Sequence, residues 1–429
     1  DTLRADHAGP GATAGAETPT LNQLAAQGAS GSAYAQLPQT TPNHASILTG
    51  TYIQTHGLRT TLWDKARSEV PTLDQLFRAA GYRTGAIVSW YSFDDEFTNL
   101  IRAWDTYEQV VVRFGTPERV APAEARELYR SGADMGKTLD GDARTTTEAA
   151  LRWLDAYATQ GDRPWCFWLH YRDPHYPYTP PGPYGALPQT GEEFDGGSTS
   201  LGRIGAGYQP APGEMARLLA AYDGEIAYTD AELGRVVQRL DELGLSRDTI
   251  VVVTGDHGEN FLEHGPWDWL HGHSVYEGAV RVPLIVRYPA APEAVLPGTR
   301  MPGPAQSADI APTLLALCRL PESGTSTMEG RSLAAPLAGQ EDPGPQRAAW
   351  GTLFDDSQSY VVQGEWKLVR WNDPARRVAD ELYHLASDPR ETYDYSAEMP
   401  GVAARLRAQL DGWVGVKAQS QLWRPWERG

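Results

Sequence analysis

Cysteine is scarce: only Cys166 and Cys318 occur among the 429 residues. Two thiols cannot staple a disulfide framework, and without CxxC spacing they do not form a zinc site. Long apolar runs are missing as well, none approaching the roughly 18 residues that span a bilayer. Basic residues fall short of acidic ones, 37 Lys and Arg against 55 Asp and Glu, for a net charge of −18. With no basic run to follow a phosphate backbone, no nucleic-acid partner is expected. An initiator Met and a signal-type n-region and h-region are also lacking, so the sequence reads as mature or truncated. What is present is globular: 41% of residues are hydrophobic and 21% charged, enough to bury a core. The length predicts one large domain, or a large and a small one, and favours an enzyme over a binding module.

Short β-branched or aromatic runs alternate with helical patterns. The runs 84–89, 165–170, 249–254 and 280–288 are apolar throughout, which predicts strands covered on both faces and hence mostly parallel pairing. Amphipathic helices lie between them, one over 145–159 and another with Leu233, Val236, Val237, Leu240 and Leu243 on one face, ended by Gly244. The expected fold is α/β: a large, mostly parallel sheet sandwiched by helices over residues 1–340, with a smaller α+β domain over 341–429. Two segments break the alternation. Residues 179–213 are rich in Pro and Gly and read as a functional or mobile loop. Residues 334–346 read as a linker. No internal repeat is present.

Eight of the ten histidines fall in three groups: His44 and His56; His170 and His175; His257, His264, His271 and His273. Each group follows a strand or enters a helix, and ligands of α/β sheets bind outside the carboxyl ends of strands. In Gly255-Asp256-His257-Gly258-Glu259, a carboxylate and an imidazole can reach one cation from a tight turn. Such N/O ligation suits Zn²⁺, Mn²⁺ or Mg²⁺, although an ordinary turn capped by Asp uses the same residues. In Thr40-Thr41-Pro42-Asn43-His44, Pro42 suits the first helical position and puts Thr40 or Thr41 at a helix N-terminus. A Thr cap is the default there; the functional alternative is a hydroxyl activated beside free backbone N–H groups.

The segments together resemble the sulfatases and their relatives in the alkaline phosphatase superfamily. The resemblance is carried, in order, by Asp1-Thr2-Leu3-Arg4-Ala5-Asp6-His7, Thr18-Pro19-Thr20-Leu21, Leu48-Thr49-Gly50-Thr51-Tyr52 with His56-Gly57, and Asp173-Pro174-His175-Tyr176-Pro177. Gly255 to Glu259, Tyr276-Glu277-Gly278 with Arg281 to Ile285, Asp309 to Thr313 and Glu381-Leu382-Tyr383 with Asp388-Pro389 complete it. It implies a metal-dependent ester hydrolase with a small anionic ester as substrate, in a periplasmic or extracellular setting. Asp1 looks like the N-terminal metal ligand, and Asp256 and His257 like the second pair. The family's apolar strand normally stands immediately before this Asp; its absence here predicts a fragment or trimmed chain.

One departure sets the chemistry. Sulfatases carry Cys-x-Pro-Ser-Arg, or its Ser variant, whose first residue becomes formylglycine. Here that position is Thr40, a secondary alcohol that cannot become the aldehyde. The segment Thr40 to Gly50 is closer to nucleotide pyrophosphatase/phosphodiesterases, which use a Thr nucleophile followed by Pro-Asn-His. Those enzymes also carry Asp-x-x-x-His on a strand-end loop, a spacing that His170, Asp173 and His175 do not reproduce. The resemblance therefore implies one divalent ion held by Asp1, Thr40, Asp256 and His257, with Zn²⁺ or Mn²⁺ favoured over Ca²⁺ or Mg²⁺. Asn43 is expected to donate to a non-bridging oxygen, and His175 with His271 or His273 to bind the anion or protonate the leaving group. Arg59 is a weaker candidate. His264, His56, His7 and His384 read as packing, supporting or solvated residues, Cys166 as an inert core thiol, and Trp267 and Trp269 as packing residues. The expected reaction is hydrolysis of phosphoric mono- or diesters through a covalent Thr40 intermediate. Sulfuric ester hydrolysis without formylglycine, or silent anion binding, are the alternatives.

Overall fold

The computed structural model describes residues 1–61, 64–95, 97–113, 118–131, 139–161, 163–185, 203–205, 207–301, 303–321, 325–342, 346–372 and 380–419. The apolar runs form strands close to their expected bounds. Those of the large domain are β1 (Ala29–Tyr34), β2 (Arg83–Val88), β3 (Thr106–Gln109), β4 (Trp165–His170), β5 (Val251–Thr254) and β6 (Arg281–Arg287). β3, β2 and β4 pair in parallel in that order, with Arg83 opposite Trp165 and Val88 opposite His170. β1 and β5 both pair antiparallel with β6, which lies between them. Among the described residues these two groups do not pair with each other: the first is parallel, and the second is mixed with a reversed strand, β6. It still reads as continuously apolar because it is buried from Val282 to Arg287; burial on both faces, not strand direction, produces that pattern.

β1 carries no apolar run and was invisible to hydrophobic patterning. Gly31 answers a packing demand, since a Cβ there would lie 2.9 Å from the Met301 side chain; just before the strand, one on Gly28 would meet the Val286 carbonyl at 2.1 Å.

Helices flank the sheet. Ala143–Tyr157 is started by Asp142, whose side chain accepts from Thr145 N–H. The helix expected around Leu233 is much longer, Pro212–Glu242, and leaves through Gly244 at φ 70°. Most of the Pro/Gly-rich segment 179–213 lies outside the described residues. Within 334–346, Ala334–Leu337 is a short helix. Among the described residues no helix is long and apolar enough to cross a membrane.

The smaller C-terminal unit is a four-stranded antiparallel sheet, β7 (Ala348–Thr352), β8 (Gln358–Gln363), β9 (Trp366–Trp371) and β10 (Glu381–His384), in sequence order. Helix Pro400–Gln419 packs Leu406 and Leu410 against Val361, Leu368 and Leu382. The sheet is tied to the large domain by the buried Lys367 ammonium, 3.0 Å from Glu277 and 2.8 Å from Glu391. Tyr360 Oη adds a hydrogen bond to the Ala35 carbonyl at 2.8 Å.

β4 and β5 each pair on one side only among the described residues. Although apolar, Trp165 to Leu169 and Val251 to Val253 are only half-buried. A cavity of about 1220 Å³ is lined by both strands, by Leu21, Ile226 and Leu233 from one core cluster, and by Leu48, Leu73 and Phe77 from another. Asp1, His170 and Asp256 line it too, so the slot runs up to the residues described next.

Candidate active site

At the carboxyl end of β5 the chain turns through Gly255-Asp256-His257-Gly258. Both glycines are required by close approach: a Cβ on Gly255 would lie 2.8 Å from the Leu3 carbonyl, and one on Gly258 would lie 2.0 Å from that of Gly278. The turn therefore packs directly on the segment starting at Asp1. Asp256 Oδ1 accepts from the N–H groups of Thr2 at 3.0 Å and His257 at 2.8 Å. Thr2 takes a left-handed φ of 50°, a strained state for a β-branched residue. It is held there by that bond and by Tyr222 Oη donating to its carbonyl at 2.6 Å.

The helix expected after Gln39 runs Thr40–Thr49 and ends in Gly50 at φ 65°. Thr40 is its first residue, with Gln39 at the cap; Pro42 is therefore third rather than first, still in the turn where a missing N–H is harmless. Thr40 Oγ1 lies 3.4 Å from Asp1 Oδ2 and 3.5 Å from His257 Nε2. His257 Nε2 in turn lies 3.6 Å from Asp1 Oδ1 and 3.5 Å from Asp256 Oδ2. Ligands at ordinary zinc distances around a tetrahedral ion are roughly 3.3–3.6 Å apart. Asp1 Oδ1 and Asp256 Oδ2 are buried without a hydrogen-bond donor, an arrangement that costs several kcal/mol unless a cation compensates. His257 donates Nδ1–H to the Gly258 carbonyl at 3.0 Å, which leaves the Nε2 lone pair facing the carboxylates, and burial lowers its pKa to about 3. The donor set fits a divalent ion.

His44 and His170 also converge on Asp256, the three offering ligand atoms within 4.8 Å of one another. Burial pushes both imidazoles below the usual histidine range, His170 strongly. Patterning grouped these histidines without giving them a role. Their signal was position, His170 at the carboxyl end of β4 and His44 one helical turn after Thr40.

Of the pair left open in the sequence, His271 faces the site. Its ring lies 4.4 Å from that of His257 and 5.1 Å from that of His175, and its Nδ1 is 2.8 Å from Glu259 Oε1. Glu259 is fully buried and also accepts from Tyr178 Oη at 3.0 Å; sequence reasoning quoted it in a motif but missed this support. His273 is exposed. His175 donates Nδ1–H to the Tyr176 carbonyl at 2.7 Å and stacks on the Tyr176 ring. Burial, with Arg172 nearby, holds it well below the histidine range, so its Nε2 is an acceptor.

Asn43 departs from expectation. Its amide nitrogen donates to the Asp256 carbonyl and to Ser307 Oγ, and its Oδ1 accepts from Gln36 N–H. Fully buried and fully bonded, it fixes the Thr40 helix to the Asp256 turn and has no donor left for a substrate oxygen. Arg59 is bound to the Phe354 carbonyl and Asp356. His264 stacks on Tyr276 with ring centroids 3.6 Å apart. His56 supports the Thr40 helix through Ser46 Oγ at 3.1 Å, and His7 pairs with Asp223 at 2.7 Å.

The sulfatase family model matches residues 1–319. The chain belongs to the sulfatase family. A second family model, N-sulphoglucosamine sulphohydrolase, C-terminal, matches residues 263–413. A sulfatase of Formosa agariphila is 24% identical to this sulfatase-family hydrolase, the match covering 87% of this chain and 77% of that protein. A choline-sulfatase of Rhizobium meliloti is 23% identical over 92% of this chain and 85% of its own length. A phosphonate monoester hydrolase of Agrobacterium radiobacter has the same fold, with a TM-score of 0.72, 19% identity and coverage of 98% of this chain and 94% of that one.

Proposed function

We propose that this sulfatase-family hydrolase cleaves phosphoric mono- or diesters with Thr40 as nucleophile. The observation that carries the reading is the Thr40 hydroxyl, first in its helix and between Asp1 and His257 at 3.4 and 3.5 Å. A β-branched secondary alcohol in this position can attack but cannot be oxidised to formylglycine. That phosphonate monoester hydrolysis is the named activity of a protein with this fold supports ester chemistry beyond sulfate.

A divalent ion held by Asp1, Thr40, Asp256 and His257 would lower the pKa of the hydroxyl and neutralise ester oxygens; imidazole among carboxylates favours Zn²⁺ or Mn²⁺. The Thr40 proton passes to Asp1 Oδ2. The Thr40 oxygen–phosphorus bond forms as the phosphorus–leaving-group bond breaks, and the leaving oxygen takes a proton from His271, whose ring is oriented by Glu259 Oε1 at 2.8 Å from Nδ1. Water then attacks phosphorus and gives a proton back to His271, the phosphothreonine bond breaks, and Thr40 recovers its proton from Asp1. His175, with an acceptor Nε2 beside His271, orients a hydroxyl or the attacking water. The N–H groups of the first helical turn add positive polarity for the anion.

Sulfuric ester hydrolysis without formylglycine is the second reading, favoured by the sulfatase names of the relatives. Turnover of nitrophenyl phosphate, a nitrophenyl phosphodiester and nitrophenyl sulfate by the metal-supplemented protein separates the two. Phosphate or phosphodiester turnover should lead, and Thr40→Ala should reduce it at least ~10³-fold. Sulfate turnover above both phosphates would overturn the phosphoester reading.

A further inference from the structure

Arg172 stands just beyond β4 and just before His175, and only 1% of it is exposed. Burying a guanidinium is costly unless its charge and its N–H groups are met. Nη1 pairs with Asp140 Oδ1, and the Trp90 ring lies over the guanidinium, 4.0 Å from its carbon. The stem and backbone are held as tightly. A Cβ on Gly141 would lie 2.4 Å from Arg172 Cβ. Ser89 Oγ accepts the Arg172 N–H at 2.6 Å while donating to the His170 carbonyl at 2.9 Å. A methionine or leucine would fill this space without desolvating a charge, so packing alone does not account for an arginine here.

The other arm of the guanidinium does. Nη2 donates to the Tyr176 carbonyl at 2.9 Å, the same oxygen that His175 Nδ1 meets at 2.7 Å. A carbonyl oxygen only accepts, so the ring proton lies on Nδ1; it has two lone pairs, and these two donors use both. The His175 N–H closes the loop by donating to the Arg172 carbonyl at 2.9 Å. Ring and guanidinium thus share one anchor. A carbonyl in a loop can swing and take a bound ring with it, whereas one gripped by an arginine that Asp140 and Trp90 hold is fixed. Burial first, and the Arg172 charge second, keep His175 below the histidine range, which leaves Nε2 bare.

We propose that Arg172 is a positioning residue for the reaction: through the Tyr176 carbonyl it fixes the His175 ring in its Nδ1–H form, with Nε2 left as an acceptor. The inference rests on the role given to His175 above and adds the residue that enforces it. The ring so fixed lies 5.1 Å from that of His271, where the leaving oxygen and the attacking water are handled. Arg172 does not bind the ester itself, because its two terminal nitrogens are committed to Asp140 and the Tyr176 carbonyl.

The test is a double-mutant comparison in the metal-supplemented whole chain. Arg172→Met keeps a stem and removes the donors; His175→Gln removes the ring. Arg172→Met should lower kcat/KM by ~10²-fold in the parent chain but by less than about threefold in the His175→Gln chain. Equal losses in both backgrounds overturn the proposal, because a merely structural residue is felt whether or not His175 is present. Labelling the histidines with ¹⁵N gives a readout that needs no turnover. His175 should show a protonated Nδ1 and a bare Nε2 in the parent chain, and a mixture of tautomers in Arg172→Met. A ring unchanged by the substitution overturns the proposal. So does a protonated Nε2 in the parent chain, which decides alone should the variant not fold. Sulfate turnover above phosphate overturns the phosphoester reading and not this one; the same comparison is then made on the sulfate ester.

Discussion

His271 and His273 stand two residues apart, yet only His271 has a buried carboxylate on Nδ1 and the His257 ring 4.4 Å away. The carboxylate contact fixes the ring's orientation toward the proposed site, whereas an exposed ring has no fixed geometry toward the ester. His271→Gln should therefore lower kcat by ~10²–10³-fold for a substrate with a poor leaving group and less for nitrophenyl esters, whose leaving group needs no proton. His273→Gln should stay within a few-fold of the parent on both substrates. Equal losses in the two variants would reverse the assignment. Asn43 teaches the complementary lesson. The Pro-Asn-His pattern suggests a substrate contact, but each polar atom of this buried amide is already committed to Gln36, Asp256 or Ser307, so its work is to hold Thr40 against the Asp256 turn.

Among elements, β4 and β5 bear the clearest unfilled demand. Both have an edge without a strand partner among the described residues, and the cavity of about 1220 Å³ is lined by both. The Asp1 amine is drawn to the Tyr171 carbonyl just beyond β4, at 2.8 Å. A run of about six Val- and Ile-rich residues placed before Asp1 would enter the slot as a strand. Each buried branched side chain contributes about 1.5–3 kcal/mol, against backbone ordering of about 1–2 kcal/mol per residue. Such an extension should raise Tm by several degrees in a thermal melt, while a Ser/Asn-rich extension of equal length should not. Equal melting of both extended chains would show that the slot does not accept a strand.

Over the whole molecule, buried neutral histidines couple stability to pH. Burial lowers His56 to about 3 and His264 to about 4, against about 6.5 in the unfolded chain. A histidine whose folded pKa lies below its unfolded value contributes stability that is present above pH ~6.5 and lost as pH falls, because only the unfolded chain takes up the proton. Each such histidine therefore favours a decline in Tm from pH 6.5 toward 4.5, by up to about 1.4 kcal/mol per pH unit, opposed by buried carboxyls that burial raises to about 6 (Asp268, Asp309) or about 8 (Asp173, Glu391). His56→Gln should give a shallower decline in melts across this range. An identical slope would mean that His56 is not held neutral. The net charge of −18 repels an anionic ester at long range, so the proposed site would need local positive polarity, as the Thr40 helix N-terminus offers.

Local sequence determined much of this. Continuous apolar runs specify buried strands wherever they sit, because burial on both faces is a property of composition; β2, β4, β5 and β6 were legible for that reason. The order of the motifs specified the family, and Thr40, standing where the sulfatase motif has Cys or Ser, is a secondary alcohol that cannot become formylglycine. The tertiary structure decided what depends on neighbours from afar. Gly31 in β1 and Gly28 just before it are glycines because Met301 and Val286 press upon them. Asn43 is structural because its partners lie up to 264 residues away, and His271 rather than His273 faces the site because Glu259 fixes it. Asp1, His44, His170 and Asp256 meet only when β4, β5 and the Thr40 helix end at one point. A linear spacing rule registers side chains on one loop, but it has no term for side chains that a sheet gathers from the ends of separate elements.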